Sequence, residues 1–396
     1  MDDFRRWYEE RRDEIVAWRR DLHAHPELAF EETRTAAFVA ERLNAWGLEV
    51  HTGVARTGVV AVLPGGQAPA IGLRADMDAL PIEEANSFAH VSRHPGRMHA
   101  CGHDGHTTML LAAARYLAEH HARVGPPPGP IRFVFQPAEE NEGGGRRMVE
   151  EGLFERFPMQ SVFAMHNMPG LEVGRFMVRG GPVAAGFDTF DIVIGAPGGH
   201  AAMPAEGGDA VTAAAALALN LQTIVPRHVD ANEAAILAVT RIHGGSAYNV
   251  LPDEMRLAGS VRWFNPKVRD EIRRRIEMQC AGLAQAYGVA ASLTYQLRYP
   301  SVINAEAPAA LAARAAVDVV GPERVATEFP PLMGSEDFAF LLERNPGAYL
   351  LLGNGSGEGG CLLHNPHFDF NDEAIGHGAA LWVALCRRFF DEAQAG

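Results

Sequence analysis

IRFVFQPAEEN, residues 131–141, runs an apolar segment straight into two adjacent carboxylates, Glu139 and Glu140. The segment follows PPPGP (126–130), which ends any preceding helix. A short apolar run bounded by prolines reads as a buried strand. The same rhythm repeats on both sides of it. Residues 3–20, 32–46 and 107–121 read as helices, and TGVVAVLPGG (57–66), IGLRADMDAL (71–80) and SVFAMHNMP (161–169) as strands. Alternation of this kind predicts an α/β domain with a largely parallel sheet. Reactive groups in such sheets gather at the carboxyl ends of the strands. Asp76, Asp78, Glu139, Glu140 and His166 all fall there.

From about residue 187 the rhythm changes. FDTFDIVIGA is a strand and 208–225 a helix. AAILAVTRIHG and EMRLAGSVRWF follow as strands, 266–288 as a helix and VAASLTYQLRYP as a strand. The order β-α-β-β-α-β is the ferredoxin-like pattern. Residues 187–299 therefore read as an inserted α+β domain, and 1–186 with 300–396 as the α/β domain that it interrupts. The strand AYLLLGN (348–354) and a helix over 373–391 complete the latter.

A chain of 396 residues is about right for two domains. The formal net charge of −14 carries no block of like charge and argues against a nucleic-acid partner. No apolar run approaches the ~20 residues of a membrane span. The opening MDDFRRWYEERRDEIVAWRR reads as an amphipathic helix rather than a signal peptide. Cys101, Cys280, Cys361 and Cys386 are too far apart for a disulfide framework and imply free thiols in a reducing, cytoplasmic setting.

The densest chemistry lies in MHACGHDGHTTML (98–110), where His99, Cys101, His103, Asp104 and His106 crowd the start of a helix. A polar helix cap accounts for Asp104 or Thr107. It does not account for a thiol and imidazoles together, which suit a metal. Paired Glu residues commonly end in a solvated loop. Hydrolysis at a metal, however, needs a carboxylate ligand and a separate base for the water's proton, and Glu139 and Glu140 can splay apart to serve both. His166 and His364 each interrupt an apolar stretch. Alone, each reads as a buried, satisfied histidine. With Cys101, His103 and Glu140 they make five ligands, more than one tetrahedral zinc uses, and two metals would account for the surplus. Asp78 is placed to hold a ligand imidazole or a metal. His23 and His25 read as structural, His99 and His106 as neighbours of the site. Cys280, Cys361 and Cys386 read as packing residues. Glu336 and Asp337 precede an apolar helix, either as caps or as supports of the site.

Several motifs together resemble the M20-type metallopeptidase superfamily, in its amidohydrolase branch of hippurate, N-acyl-amino-acid and auxin-conjugate hydrolases. They are GLRADMDALPIEE (72–84), MHACGHDGHTTML, FQPAEENEGGGRRMVEEG (135–152), HNMPG (166–170), GGHAAMP (198–204), NVLPDE (249–254), MGSEDFAF (333–340) and LLHNPHFDFNDEAI (362–375). The resemblance spans essentially the whole chain. It implies a zinc-peptidase-like catalytic domain interrupted by a lid that also dimerises. It implies metal ligands at Cys101, His103, Glu140, His166 and His364, with Glu139 as general base. It implies His200 on the lid as oxyanion donor, often reaching a partner's site, and Asn249 and Arg262 gripping the substrate carboxylate. The sequence departs from the wider superfamily at 76–78, where DMD stands in place of a ligand histidine followed by x-Asp. Asp76 is thus a doubtful ligand and Cys101 its replacement.

The expected activity is hydrolysis of an N-acyl amino acid by two divalent metal ions, zinc first, with manganese, cobalt or nickel as alternatives. A related peptidase or deacetylase on a small amide is the nearest alternative. A thiol hydrolase with Cys101 as nucleophile and a non-catalytic binding protein of the same fold are rivals from other classes.

Overall fold

The computed structural model describes residues 1–140, 142–356 and 360–395. The chain divides into two compact units: Met1–Val183 with Val302–Pro330 and Asp337–Gly396, and Ala184–Ser301 with Pro331–Glu336. The short run Pro331–Glu336 groups with the second unit, although the sequence alone places it within 300–396 of the first.

The first unit is built on an eight-stranded sheet. Its leading elements are α1 (Asp2–Glu9), α2 (Arg12–Ala24), α3 (Thr33–Ala45), β1 (Glu49–Val54), β2 (Gly58–Leu63), β3 (Ile71–Asp76), α4 (His103–Val124), β4 (Ile131–Gln136), α5 (Gly144–Glu150) and β5 (Ser161–Pro169). β4, β3, β5 and the strand Gly347–Gly355 run parallel in the middle. β1 and β2 add antiparallel strands at one side, and Phe176–Met177 pairs antiparallel with Gly347–Gly355 at the other. Val325–Ala326 closes that side in parallel with Phe176–Met177, so the sheet is mixed rather than parallel throughout. The expected helix over 3–20 is broken between Glu9 and Arg12.

β3 and β4 are in parallel register, so Asp76 stands opposite Gln136 and both strands deliver their next residues to the same edge. α4 packs between that sheet, α2 and the helix Glu373–Ala395. Its LLAAA run, Leu110–Ala114, is fully buried, and small side chains let the neighbouring helices approach. The helix begins at His103, four residues before the apolar pattern suggests, because its first polar residues are themselves buried.

The second unit is the ferredoxin-like sandwich that the sequence predicts. Its four antiparallel strands lie in the order Ala235–His243, Glu254–Trp263, Gly186–Gly195, Ala290–Tyr299. Phe190, Ile192 and Ile194 alternate onto one face, as period-two burial requires. They meet Ile272, Ile276, Cys280 and Leu283, one stripe of the helix Pro266–Tyr287. No helix among the described residues is long and apolar enough to cross a membrane.

Candidate metal centre and catalytic site

The site grows from three backbone devices in the first unit. Gly102 adopts φ +105° between Cys101 and His103, and a Cβ there would meet the Asn167 amide oxygen at 2.3 Å. Glycine therefore lets the chain turn from thiol to imidazole at the start of α4. Ala138 at φ +54° bends the chain after β4 and turns Glu139 and Glu140 out of the strand path. His364 also sits in the left-handed region, at φ +64°, with its N–H donated to the Ala100 carbonyl at 2.7 Å. Such strain in non-glycine residues concentrates at functional sites. Asn141, which closes the PAEEN stretch, lies outside the described residues.

These devices bring together five of the residues singled out as ligands. Donor atoms of Cys101, His103 and His166 lie within 4.8 Å of one another, as do those of Cys101, Glu140 and His364, and those of His103, Glu139 and Glu140. Cys101 Sγ is 3.3 Å from His166 Nε2, and His364 Nε2 is 3.1 Å from Glu140 Oε1. His103 donates Nδ1–H to Asp78, 2.8 Å from its carbonyl and 3.2 Å from its carboxylate. His103 Nε2 is buried with no hydrogen-bond partner among the described residues. His166 donates Nδ1–H to the Asn167 carbonyl at 2.8 Å, which leaves Nε2 to face the thiol. Both imidazoles are therefore fixed with one nitrogen available as a donor, the arrangement of metal-binding histidines.

The electrostatics agree. Burial opposes a proton on His103, but Asp76, Asp78 and Glu140 outweigh it and push the imidazole up to about 10. The cluster calls for positive charge. Burial, then the Glu140, Glu139 and Asp76 carboxylates, push the Cys101 thiol well above its usual range. Burial, with His106 beside it, holds His166 well below the usual histidine range. Burial that disfavours the thiolate, beside an imidazole held neutral, weighs against the thiol-hydrolase rival. A cation would reverse the balance, since thiolate ligation releases the proton. The donor set, three imidazoles of which one has an orphaned nitrogen, a thiol, and carboxylates, fits divalent metal.

Asp76 reaches within 3.9 Å of His103 Nε2, yet its oxygens are engaged by His106 at 2.6 Å and Arg74 at 2.7 Å. His106, bound through Nδ1 to Asp76, meets Asn167 Oδ1 through Nε2 at 2.6 Å. Both residues brace the site. His99 is buried with neither ring nitrogen hydrogen-bonded among the described residues, and burial pushes it down to about 3. Asp104 is no helix cap. It accepts His23 Nδ1–H at 2.9 Å and faces Arg19 at 3.5 Å, while Arg19 also binds Asp369 and Asp372, each at 2.8 Å. This ionic cluster ties α4 to α2 and to the segment before the last helix. Arg74, Asn167 and Glu32, which accepts the Ala138 N–H at 2.8 Å, were missed from sequence. An arginine inside the apolar strand GLRAD is the one signal among them that could have been read. Cys280 and Cys386 are core residues as expected, whereas Cys361 is only half-buried.

The second unit carries the remaining singled-out residues. His200 stands opposite Val250 in a two-stranded ribbon, and the Ala201 N–H donates to the Asn249 carbonyl at 3.0 Å, so His200 and Asn249 are near neighbours. His200 is exposed, and its Nδ1 accepts the Ala202 N–H at 3.1 Å. Arg262 donates to Ser335 Oγ at 2.6 Å and lies 4.1 Å from the Phe187 ring.

A buried thiol–imidazole–carboxylate cluster at the carboxyl ends of parallel strands, with a spare carboxylate beside it, defines a metal-dependent hydrolase. Residues 72–388 match the model of Peptidase family M20/M25/M40, and the chain belongs to that family. It is 37% identical to a hippurate hydrolase of Campylobacter jejuni over 94% of this chain and 95% of that protein. It is 36% identical to an N-acetyl-L-cysteine deacetylase of Bacillus subtilis over 96% of this chain and 88% of that one. Among solved structures it resembles the Bacillus subtilis YXEP protein, described as a dinuclear metal binding peptidase from the M20 family. The TM-score is 0.84 and the identity 31%, covering 98% of this chain and 99% of that one.

Proposed function

We propose that the chain is a metal-dependent amidohydrolase that cleaves the amide of N-acyl amino acids to a carboxylic acid and a free amino acid. The observation that carries this is the meeting of Cys101, His103, His166, Glu140 and His364 donors beside Glu139. The names of the relatives support the substrate class: hippurate is an N-acyl glycine, and N-acetylcysteine an N-acyl amino acid.

Cys101, His103, Glu140, His166 and His364 would hold two divalent ions, and zinc suits a set that includes a thiolate. When bound, such ions supply Lewis acidity toward the carbonyl and lower the pKa of water. Glu139, 7% exposed and in reach of the same donors, takes the proton from the attacking water and returns it to the leaving amine nitrogen. Asp78 is a positioning residue, holding His103 by its side chain and carbonyl and the Glu140 N–H at 2.9 Å. His200 donates from Nε2 to the developing oxyanion, a role supported by its Nδ1 acting as an acceptor. Asn249 and Arg262 bind the carboxylate of the amino-acid half, for which a guanidinium fork is suited.

The second unit serves as lid and dimer interface, with His200 acting in the partner's site. Four free cysteines favour a cytoplasmic location. The test is metal analysis of reconstituted protein with turnover of N-acetyl, N-benzoyl and indole-acyl amino acids. About two metals per chain and release of free amino acid are expected. Full activity after exhaustive chelation overturns the reading.

A further inference from the structure

Arg74 is buried in the middle of β3, where neighbouring strands are apolar. A guanidinium is retained in a core only if its N–H groups are satisfied. Here Nε donates to Gln136 Oε1 at 2.9 Å, Nη1 to Asp76 Oδ2 at 2.7 Å and Nη2 to Asp337 Oδ1 at 3.1 Å. Asp337 is held from further sides. Its Oδ1 accepts the Gln136 amide N–H at 2.7 Å, and its Oδ2 accepts the Gly145 N–H, at the start of α5, at 2.7 Å. Strand β3, strand β4 and helix α5 therefore fix one carboxylate. The backbone N–H of the same residue is directed at Glu139 Oε1, 3.4 Å away.

We propose that Arg74 and Asp337 are positioning residues for the general base: Arg74 locks the Asp337 side chain, and the locked Asp337 backbone N–H orients the Glu139 carboxylate. The inference rests on the reading of Glu139 as base. The contact to Glu139 comes from the main chain, so the Asp337 side chain acts at a distance, by denying that main chain freedom to move. Ala138, at φ +54°, turns the chain out of the strand path immediately before Glu139, where this main-chain N–H meets its carboxylate. The other arm of Arg74 ends on Asp76, which braces His106, so one guanidinium serves both the base and the ligand side of the site.

The test is a double-mutant cycle in the metal-reconstituted full chain, with N-benzoylglycine as substrate. Asp337→Asn must turn an amide N–H2 toward either Arg74 or the Gly145 N–H, both donors, and so breaks the lock while keeping the volume. The expected result is a fall in kcat of about 10–100-fold with KM and metal content retained, the scale of a misplaced catalytic group. In a Glu139→Gln background the same substitution costs less than about two-fold, because the residue through which it acts is already disabled. Equal losses in both backgrounds, or loss of metal, overturn the proposal. If Asp337→Asn fails to fold, Gln136→Met, which removes one bond to Asp337, is read by the same cycle. A Glu139→Gln chain with undiminished kcat instead overturns the base assignment itself, and is distinguished by that single variant.

Discussion

Asp78 holds two of the proposed metal ligands at once: its carbonyl and carboxylate take the His103 Nδ1–H, and its other carboxylate oxygen takes the Glu140 backbone N–H at 2.9 Å. An imidazole and a carboxylate that approach from different elements are thereby set relative to each other. Asp78→Ala should keep the fold and weaken metal affinity by about 10–100-fold, the usual cost of losing a ligand's support. Competition with a graded chelator measures it. Unchanged affinity means that Asp78 does not position the donors.

Cys101→Ala should remove at least one metal equivalent and nearly all turnover. The thiol touches His166 and shares donor groups with His103, Glu140 and His364, so it is central to the cluster. Metal analysis with an activity assay decides. A variant with full metal and full rate has the ligand set wrongly assigned.

Glu139 and Glu140 should part company under the same conservative change. Glu139→Gln is expected to lose about 10²–10⁴-fold in kcat with metal retained, as for a general base. Glu140→Gln should first lose metal. Similar, mild effects from both would refute the division of labour.

Stability should depend on pH through His23. Burial disfavours its charge, but hydrogen bonds to Asp104 and Glu84 outweigh this and push it up to about 9 from 6.5. A raised folded value means that the contribution is complete below pH 6.5 and is lost as pH rises through about 9. His23→Gln should therefore melt below the parent at neutral pH, with the gap closing toward alkaline pH. A gap of constant size across that window would remove His23 from the account.

His200→Ala should bind both metals and lose roughly 10²–10³-fold in turnover, the cost of one oxyanion donor. Mixing it with Glu139→Gln tests the partner arrangement. If His200 acts across a dimer, hybrids carry one site with both lesions and one intact site, and about half-site activity returns. No recovery despite confirmed subunit exchange places His200 within its own chain or outside catalysis.

The carboxyl-end cluster was legible because apolar strands that end at Asp76 and Gln136, or carry His166 in their last residues, show where polar chemistry must collect. The edges of the sheet were not. β1 and β2 pair locally, but β2 joins the sheet through β4, and Phe176–Met177 through Gly347–Gly355, pairings between distant segments that residue pattern does not specify. The helix Glu306–Val320 went unread, although its Pro308 falls in the first turn, where a missing N–H costs nothing. Buried charge was the hardest to place. Asp104 looks like a cap, and its partners His23 and Arg19 lie some eighty positions away, in α2. Arg74 and Asp337 are 263 positions apart and meet only because β3 and the segment after 336 converge.

His364 differs from the other imidazoles in one respect that bears on exchange. Cys101, His103 and His166 are buried, while the His364 side chain is 51% exposed on its left-handed turn. The proposed centre would therefore be open to solvent on its His364 side. If the five residues hold two ions as proposed, exchange is expected to begin on the His364 side. Time-resolved removal by a small chelator should then show a fast and a slow phase, with the fast phase alone accelerated by His364→Ala.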